Sequence, residues 1–504
     1  MKKKLLVFLL VGSMVLLPLF GCNKKDQTTK NDGQSTEDAG ITEVDGKRYD
    51  SAGYLMDDLP EDLSFGGDEI QILHWSEPEI REFNPDESAV YAIDKAVYQR
   101  DRKVENRLDI EFLWFGIKGS YDHRNNFRDT VQTAYQSGED SRYDIIAAYS
   151  QTAGMLAIGG LVKDMQSNKY LDLSKPWWPE SLTESLTVSD KLFFASGDVS
   201  STFLSQMISV YCNKGYFEDI NLYDLVYNNE WTLEKMLELA EMKYVDVDQS
   251  GTKTQLDKYG VVVPWFVYLD GFFYGSNLIT VDKDSEGELR VSNSYVGERA
   301  DTVTEQLKTL FHGSDDGYHT NNVNTIDIFA RGDAAFMVAP GVTVLTRSTM
   351  QETDVDYGVL PMPKYNSQQA KYKTVITNLF SLYSIFAGST QEQVDRAGAV
   401  LECMGSEGYR TLTPVLFNEC LQLRYTKDGD TGKMYDIIRD GVVFDVGRVY
   451  AISLDSITQN DWQLTVIYND GVWGAKAGSV DAKLQKLLDS LQETINNLQE
   501  TDGE

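Results

Sequence analysis

Apolar residues in the first third of the chain fall in runs whose period switches between that of a strand and that of a helix. Residues 69–75, ending in His74 and Trp75, read as a strand. Val90, Ile93, Val97, Val104 and Leu108 then recur at helical spacing. Residues 110–115 predict a second strand, 125–136 a second helix, and 143–148 a strand apolar enough to be covered on both faces. Strand and helix alternating at this pitch predict a layered α/β fold with a largely parallel sheet. Near the other end, Val480, Leu484, Leu487, Leu488, Leu491, Ile495 and Leu498 form one stripe of an amphipathic helix, expected to dock on the core.

The N-terminus has a different pattern. Lys2, Lys3 and Lys4 precede an apolar run, 5–20, interrupted by Gly12, Ser13 and Pro18. A bilayer span needs about 20 apolar residues, and this run fits a secretory leader better. It ends in Leu19-Phe20-Gly21-Cys22, followed at once by Asn23, Lys24 and Lys25. That boundary resembles the lipobox of bacterial lipoproteins. The resemblance implies cleavage after residue 21, a lipidated Cys22 carrying acyl chains such as palmitate, and a place on the outer face of the cell membrane. Residues 23–50 are polar and poor in apolar side chains, so 22–65 is expected to be a flexible stalk, with order starting near Asp68.

The 504 residues are 42% hydrophobic and 25% charged, the mix of a globular protein with two or three domain-sized units. Lys and Arg number 46 against 78 Asp and Glu, a net charge of −32. Such a surface repels phosphate backbones and anionic headgroups, which excludes nucleic acid as a partner and leaves the lipid as the sole membrane contact. Neutral or cationic ligands are favoured. With Cys22 assigned to lipid, Cys212, Cys403 and Cys420 remain, and a Cys403–Cys420 disulfide and three buried thiols are equal readings. There is no CxxC pair to hold zinc.

Four segments together resemble the extracellular solute-binding proteins of ABC importers, in the sugar-binding family. The first is the strand at Tyr143-Asp144-Ile145-Ile146 with Gly160-Leu161-Val162-Lys163-Asp164 behind it. The second is Tyr211-Cys212-Asn213-Lys214-Gly215-Tyr216-Phe217, followed by Trp231-Thr232-Leu233-Glu234. The third is Phe329-Ala330-Arg331-Gly332-Asp333-Ala334-Ala335, and the fourth Gly358-Val359-Leu360-Pro361-Met362-Pro363. The resemblance implies a two-lobed periplasmic-binding-protein-like α/β fold with hinge crossings. Residues 66–170 with 323–388 would form one lobe, and 171–322 with 389–504 the other. It also implies a monomer that captures a neutral carbohydrate, an oligosaccharide, in the cleft and delivers it to the permease subunits of an ABC importer.

Sugars present apolar C–H faces for aromatic rings and hydroxyls for polar side chains. Ligands of open α/β sheets bind beyond the carboxyl ends of strands. The expected ligand-facing set is therefore His74, Trp75, Tyr149, Gln151, Tyr211, Trp265, Tyr268 and Asp270. Trp75, Tyr149 and Trp265 are expected to stack, and Gln151 and Asp270 to bind hydroxyls. No cofactor is expected. A structural calcium ion is, at a loop with oxygen side chains at Asp246, Asp248 and Ser250, Gly251 at the sixth position, and Asp257 at the twelfth. The Thr252 carbonyl would add a further oxygen. An acidic solvated turn is the competing reading of that loop. Asp282, Asp284, Glu286 and Gly287 read as a hairpin turn, and His312 to His319 as a solvated loop. The rival functions are a peptide-binding receptor lipoprotein and a surface glycoside hydrolase. No GxSxG, HExxH, Walker or GxGxxG motif supports an enzyme.

Overall fold

The structure, a computed structural model, describes residues 41–77, 82–138, 143–417 and 430–498. Cys22, Cys420 and the expected leader lie outside the described residues. Two short strands, β1 (Thr42–Val44) and β2 (Lys47–Tyr49), pair as a hairpin. The remaining strands are β3 (Asp68–Trp75), β4 (Ile110–Ile117), β5 (Ile145–Tyr149), β6 (Ile208–Asn213), β7 (Tyr259–Val263), β8 (Val281–Lys283), β9 (Leu289–Val291), β10 (Gly317–His319), β11 (Ala334–Pro340), β12 (Tyr357–Leu360) and β13 (Ser381–Ile385). They build two main sheets, β13-β5-β3-β4 and β10-β7-β11-β6-β12, each the centre of one lobe.

Both sheets are mixed rather than wholly parallel. β3 runs parallel to β4 and β5, and β7 parallel to β10 and β11, whereas β13 and β6, which the chain reaches from the other lobe, run antiparallel to their neighbours β5, β11 and β12. β5 is buried along its whole length, which its unbroken apolar sequence requires. The Ala92–Leu108 helix covers the first sheet with Ala96, Val97, Val104 and Leu108. It packs against the Gln391–Glu407 helix, whose N-terminus carries a reciprocal Thr390–Gln393 capping box.

This pairing redraws the expected lobes. β11 and β12 belong to the second sheet, so residues 334–360 lie with β6 and β7 rather than in the first lobe. The Gln391–Glu407 helix lies on the first lobe, not the second. Ala195 bridges Tyr383, so the chain is still in the first lobe well past residue 170. Order also starts earlier than Asp68. Leu59 is buried, the Phe65 amide donates to the Leu108 carbonyl (2.8 Å), and Arg107 holds the Pro60 carbonyl (2.6 Å).

Two of the passages between lobes lie side by side, and the chain passes again after the Gln391–Glu407 helix, since the Asp430–Asp440 helix packs on β12. Met207 and Ile376 form an antiparallel bridge, with the Ile208 amide on the Val375 carbonyl (2.9 Å) and the Thr377 amide on the Gln206 carbonyl (3.0 Å). Residues 441–443 lie beside the second crossing, where the Thr374 amide donates to the Gly441 carbonyl (2.8 Å) and the Val443 amide to the Thr374 carbonyl (2.9 Å). The C-terminal Trp473–Asn496 helix buries Val480, Leu484, Leu488, Leu491 and Ile495 on the body, as its stripe requires. Cys212 and Cys403 are both buried.

Candidate functional site

The parallel strands β3, β4 and β5 end at Trp75, Ile117 and Tyr149, and β7, β10 and β11 at Val263, His319 and Pro340. Segments leaving these ends form the two rims where a ligand of such sheets would lie.

On the first rim the expected stackers are buried. Trp75 has no exposed surface, and its indole N–H donates to the Ser381 hydroxyl (2.9 Å). That hydroxyl donates in turn to the buried Glu82 carboxylate (3.0 Å), which also accepts from Tyr383 (2.6 Å) and Thr202. Tyr149 is 4% exposed, packs on Trp75 at 5.4 Å, and turns its hydroxyl toward Gln151 (3.4 Å). Burial pushes the Tyr149 hydroxyl pKa well up. Neither ring leaves a free face, because each serves as core under the strand ends. His74 points to the opposite face of β3, stacked on Phe83 at 4.3 Å and edge-on to Trp114. Burial lowers its pKa, and its Nδ1 lies 2.9 Å from the Trp75 carbonyl.

The surface of this rim comes instead from the segment after β4. The Gly119 carbonyl accepts the Thr152 hydroxyl (3.2 Å) at the start of the Ser150–Ile158 helix, and Ser120 donates to Glu77 (2.9 Å). The turn that follows, Tyr121–His123, puts Tyr121 in solvent with the Arg124 guanidinium over its ring at 4.2 Å.

On the second rim, Trp265 and Tyr268 are half-buried on the turn that follows β7. Burial pushes the Tyr268 hydroxyl up to about 12, with Thr343 as its hydrogen-bond partner opposing. Tyr211 is not on the rim. It is fully buried in β6, edge-on to Tyr357 at 6.0 Å. Asp270 starts the Asp270–Gly275 helix but is only 2% exposed, and its carboxylate is held by Arg448 and Gln463. A buried ion pair of this kind is committed to structure rather than to ligand hydroxyls.

A third piece closes the space between the rims, and the sequence reading missed it. The Ile457–Ile467 helix packs on the turn that carries Tyr268. Gln459 accepts from the Gln151 side-chain amide (2.6 Å) of the first lobe, and Gln463, one helical turn on, donates to Asp270 of the second. Arg448 continues the chain to the hinge, donating to the Ile376 carbonyl (2.9 Å) and to Asn378 (2.8 Å). Gln151, Gln459, Gln463, Asp270, Arg448 and Asn378 thus make one polar line from rim to rim and on to the crossing. Gln459, Asn460 and Gln463 are interleaved there with Ile457, Trp462 and Val466, a mixture with no clear apolar face, so no periodic signal in the sequence marked this helix.

The expected calcium ligands do converge. Asp246, Asp248 and Asp257 each place a carboxylate oxygen within 4.8 Å of the others. Calcium–oxygen distances of about 2.3–2.6 Å put ligating oxygens at most about 5 Å apart, so the three carboxylates fit the ion. The Ser250 hydroxyl donates to the Thr252 carbonyl (2.9 Å), which brings the other two expected donors together. Asp284, by contrast, sits in the β8–β9 turn, accepting from Glu286 and Glu288 amides. His312 is exposed, as a solvated loop requires, while His319 is half-buried 5.6 Å from it, and burial first, then His312 and Lys253, push His319 down to about 4. Two surface hollows of about 320 and 330 Å³ lie away from the rims.

No protein-family model matches the chain, and no curated protein matches it in sequence. Its fold does match solved structures. A cyclo/maltodextrin-binding protein complexed with maltotetraose aligns with a TM-score of 0.52 at 12% identity, over 88% of this chain and all of its own. UgpB from Mycobacterium tuberculosis, in complex with glycerophosphocholine, aligns at 0.54 and 13%, over 84% of this chain and 99% of its own. The sugar-binding protein MalE from Xanthomonas citri aligns at 0.54 and 11%, over 85% and 99%. The chain therefore has the two-lobed α/β fold of periplasmic binding proteins.

Proposed function

We propose that this chain is the extracytoplasmic binding component of an ABC importer, capturing a neutral carbohydrate, an oligosaccharide, between its lobes and handing it to permease subunits. The observation that carries the reading is the cleft itself. The strand ends of the two sheets are tied together through Gln459 and Gln463 of one helix, with the exposed Tyr121 on one side and the half-buried Trp265 and Tyr268 on the other. Amides both donate and accept, as hydroxyls do, and rings cover apolar C–H faces. Two of the solved proteins with this fold are named for binding maltodextrin or sugar. The strong negative charge argues against an anionic ligand reaching the site.

A thermal-shift screen of mono- and oligosaccharides, amino acids and peptides tests the class of ligand. Sugar hits and no peptide hits are expected, with the sugar recovered unchanged after incubation. A response to peptides alone would replace this reading with a peptide receptor, and product formation would make the chain a hydrolase. Trp265→Ala is expected to weaken the best hit by about 1–3 kcal/mol, the worth of one stacked and buried ring. The lipid tether through Cys22 belongs to the same proposal. Cys22→Ala is expected to release the chain from the membrane, and a variant that stayed bound would make the leader an anchor helix.

A further inference from the structure

We infer that Tyr121, steadied by Arg124, is the stacking platform on the first lobe's side of the cleft, an inference that rests on the carbohydrate reading above. With Trp75 and Tyr149 sealed into the core, that rim needs another ring if a sugar face is to be covered there. Tyr121 is 43% exposed and sits on the segment anchored to the strand ends through Gly119, Ser120 and Glu77. The Thr152 hydroxyl donates to the Gly119 carbonyl two residues before Tyr121, which sets this turn beside the start of the helix that follows β5. The start of the Ser150–Ile158 helix, with Gln151 and its partner Gln459, is therefore the floor beside it.

The geometry of the pair suits a platform. The guanidinium covers one face of the ring at 4.2 Å and donates to the Tyr121 backbone carbonyl, so ring and cation are fixed relative to one turn of backbone. An exposed tyrosine otherwise pays rotamer entropy when a ligand immobilises it, and holding the ring beforehand removes part of that cost. With the cation on one face and 43% of the residue exposed, a pyranose would stack on the opposite face. Arg124 is thus a positioning residue, and Tyr121 the one that touches ligand.

The test uses the sugar that most raises the melting temperature of the wild-type chain, from a panel that includes maltotetraose and lacto-N-biose. Isothermal titration then compares the wild type with Tyr121→Ala, Tyr121→Trp and Arg124→Met. Tyr121→Ala is expected to weaken binding about tenfold or more, and Tyr121→Trp to keep it within about threefold, as for any flat aromatic. Arg124→Met is expected to lose affinity a few-fold, less than Tyr121→Ala, because the ring is freed rather than removed. The melting temperatures of the unliganded variants should match the wild type, since an exposed ring supports little of the fold. Wild-type affinity in Tyr121→Ala overturns the inference alone. No sugar bound by the wild-type chain overturns the carbohydrate reading, and this inference with it.

Discussion

Glu402 lies on the buried face of the Gln391–Glu407 helix, where its carboxyl accepts from the Trp178 indole (3.1 Å) and the Asp172 amide (3.2 Å). Burial dominates over these bonds and lifts its pKa from 4.5 to about 8. The folded chain therefore keeps a proton that the unfolded chain gives up above about pH 4.5. Stability falls as pH rises from 4.5 to about 8 and levels off beyond, by the linkage between proton binding and folding. Glu402→Gln is expected to remove that slope. In urea melts the variant should gain on the wild type by on the order of a few kcal/mol between pH 5 and pH 8.5. Parallel pH profiles for the two proteins would rule the effect out. Polar side chains of this kind explain why the site was only partly legible. Asp270, Gln151 and Trp75 were named from their place after strands, and the strands are where the sequence put them. Which way a side chain turns at a strand end depends on what packs there: Arg448 claims Asp270, Gln459 claims Gln151, and Ser381 claims Trp75. Those partners lie 178, 308 and 306 residues away, beyond the reach of any local pattern.

Elements were far more legible than residues. β3, β4, β5 and the helices between them follow from alternation and helical spacing, because local periodicity reports which face is buried. The lobes of β11 and β12 did not follow, since strand order is a property of tertiary pairing. The loop from Asp246 to Asp257 falls between these cases. Its spacing brought three carboxylates together as expected, and they already accept local amides: Asp246 from Gly251 (2.9 Å), Asp248 from Ser250 (3.0 Å) and Asp257 from Val247 (2.9 Å). Three anions held this close repel one another, and a divalent cation would relieve that strain. Calcium added after chelation is expected to raise the melting temperature, and Asp257→Asn to abolish the rise. Titration with neither heat nor a thermal shift would leave the loop an acidic turn.

At the scale of the whole molecule, the lobes are joined by chain crossings, two of them side by side, and by contacts made through the C-terminal segment. Lys191 of the first lobe caps the end of the Trp473–Asn496 helix at the Ile495 (3.1 Å) and Leu498 (2.7 Å) carbonyls, while Gln485 and Gln492 of that helix grip β9 of the second. Gly154 allows the Ser150–Ile158 helix to approach so closely that a Cβ there would lie 2.3 Å from the Val449 carbonyl. Buried apolar side chains of both lobes also run together through this region as one core, with Phe194 of the first lobe 6.0 Å from Tyr450. Each neutral bond is worth about 0.5–1.5 kcal/mol net, and rotation about the crossings is the motion expected of two lobes joined in this way. A ligand touching both rims favours the conformation in which they lie nearest, and it shifts the population by its differential affinity for that state. A sugar at about 100 times its Kd adds about 2.7 kcal/mol of stability, a rise of about 3 °C in Tm for a chain of this size. The same sugar should reduce the radius of gyration measured by small-angle scattering, with the Tm rise and the compaction saturating at one concentration. Calorimetric binding with no change in the radius of gyration would show that the lobes are fixed and that the crossings are not a hinge.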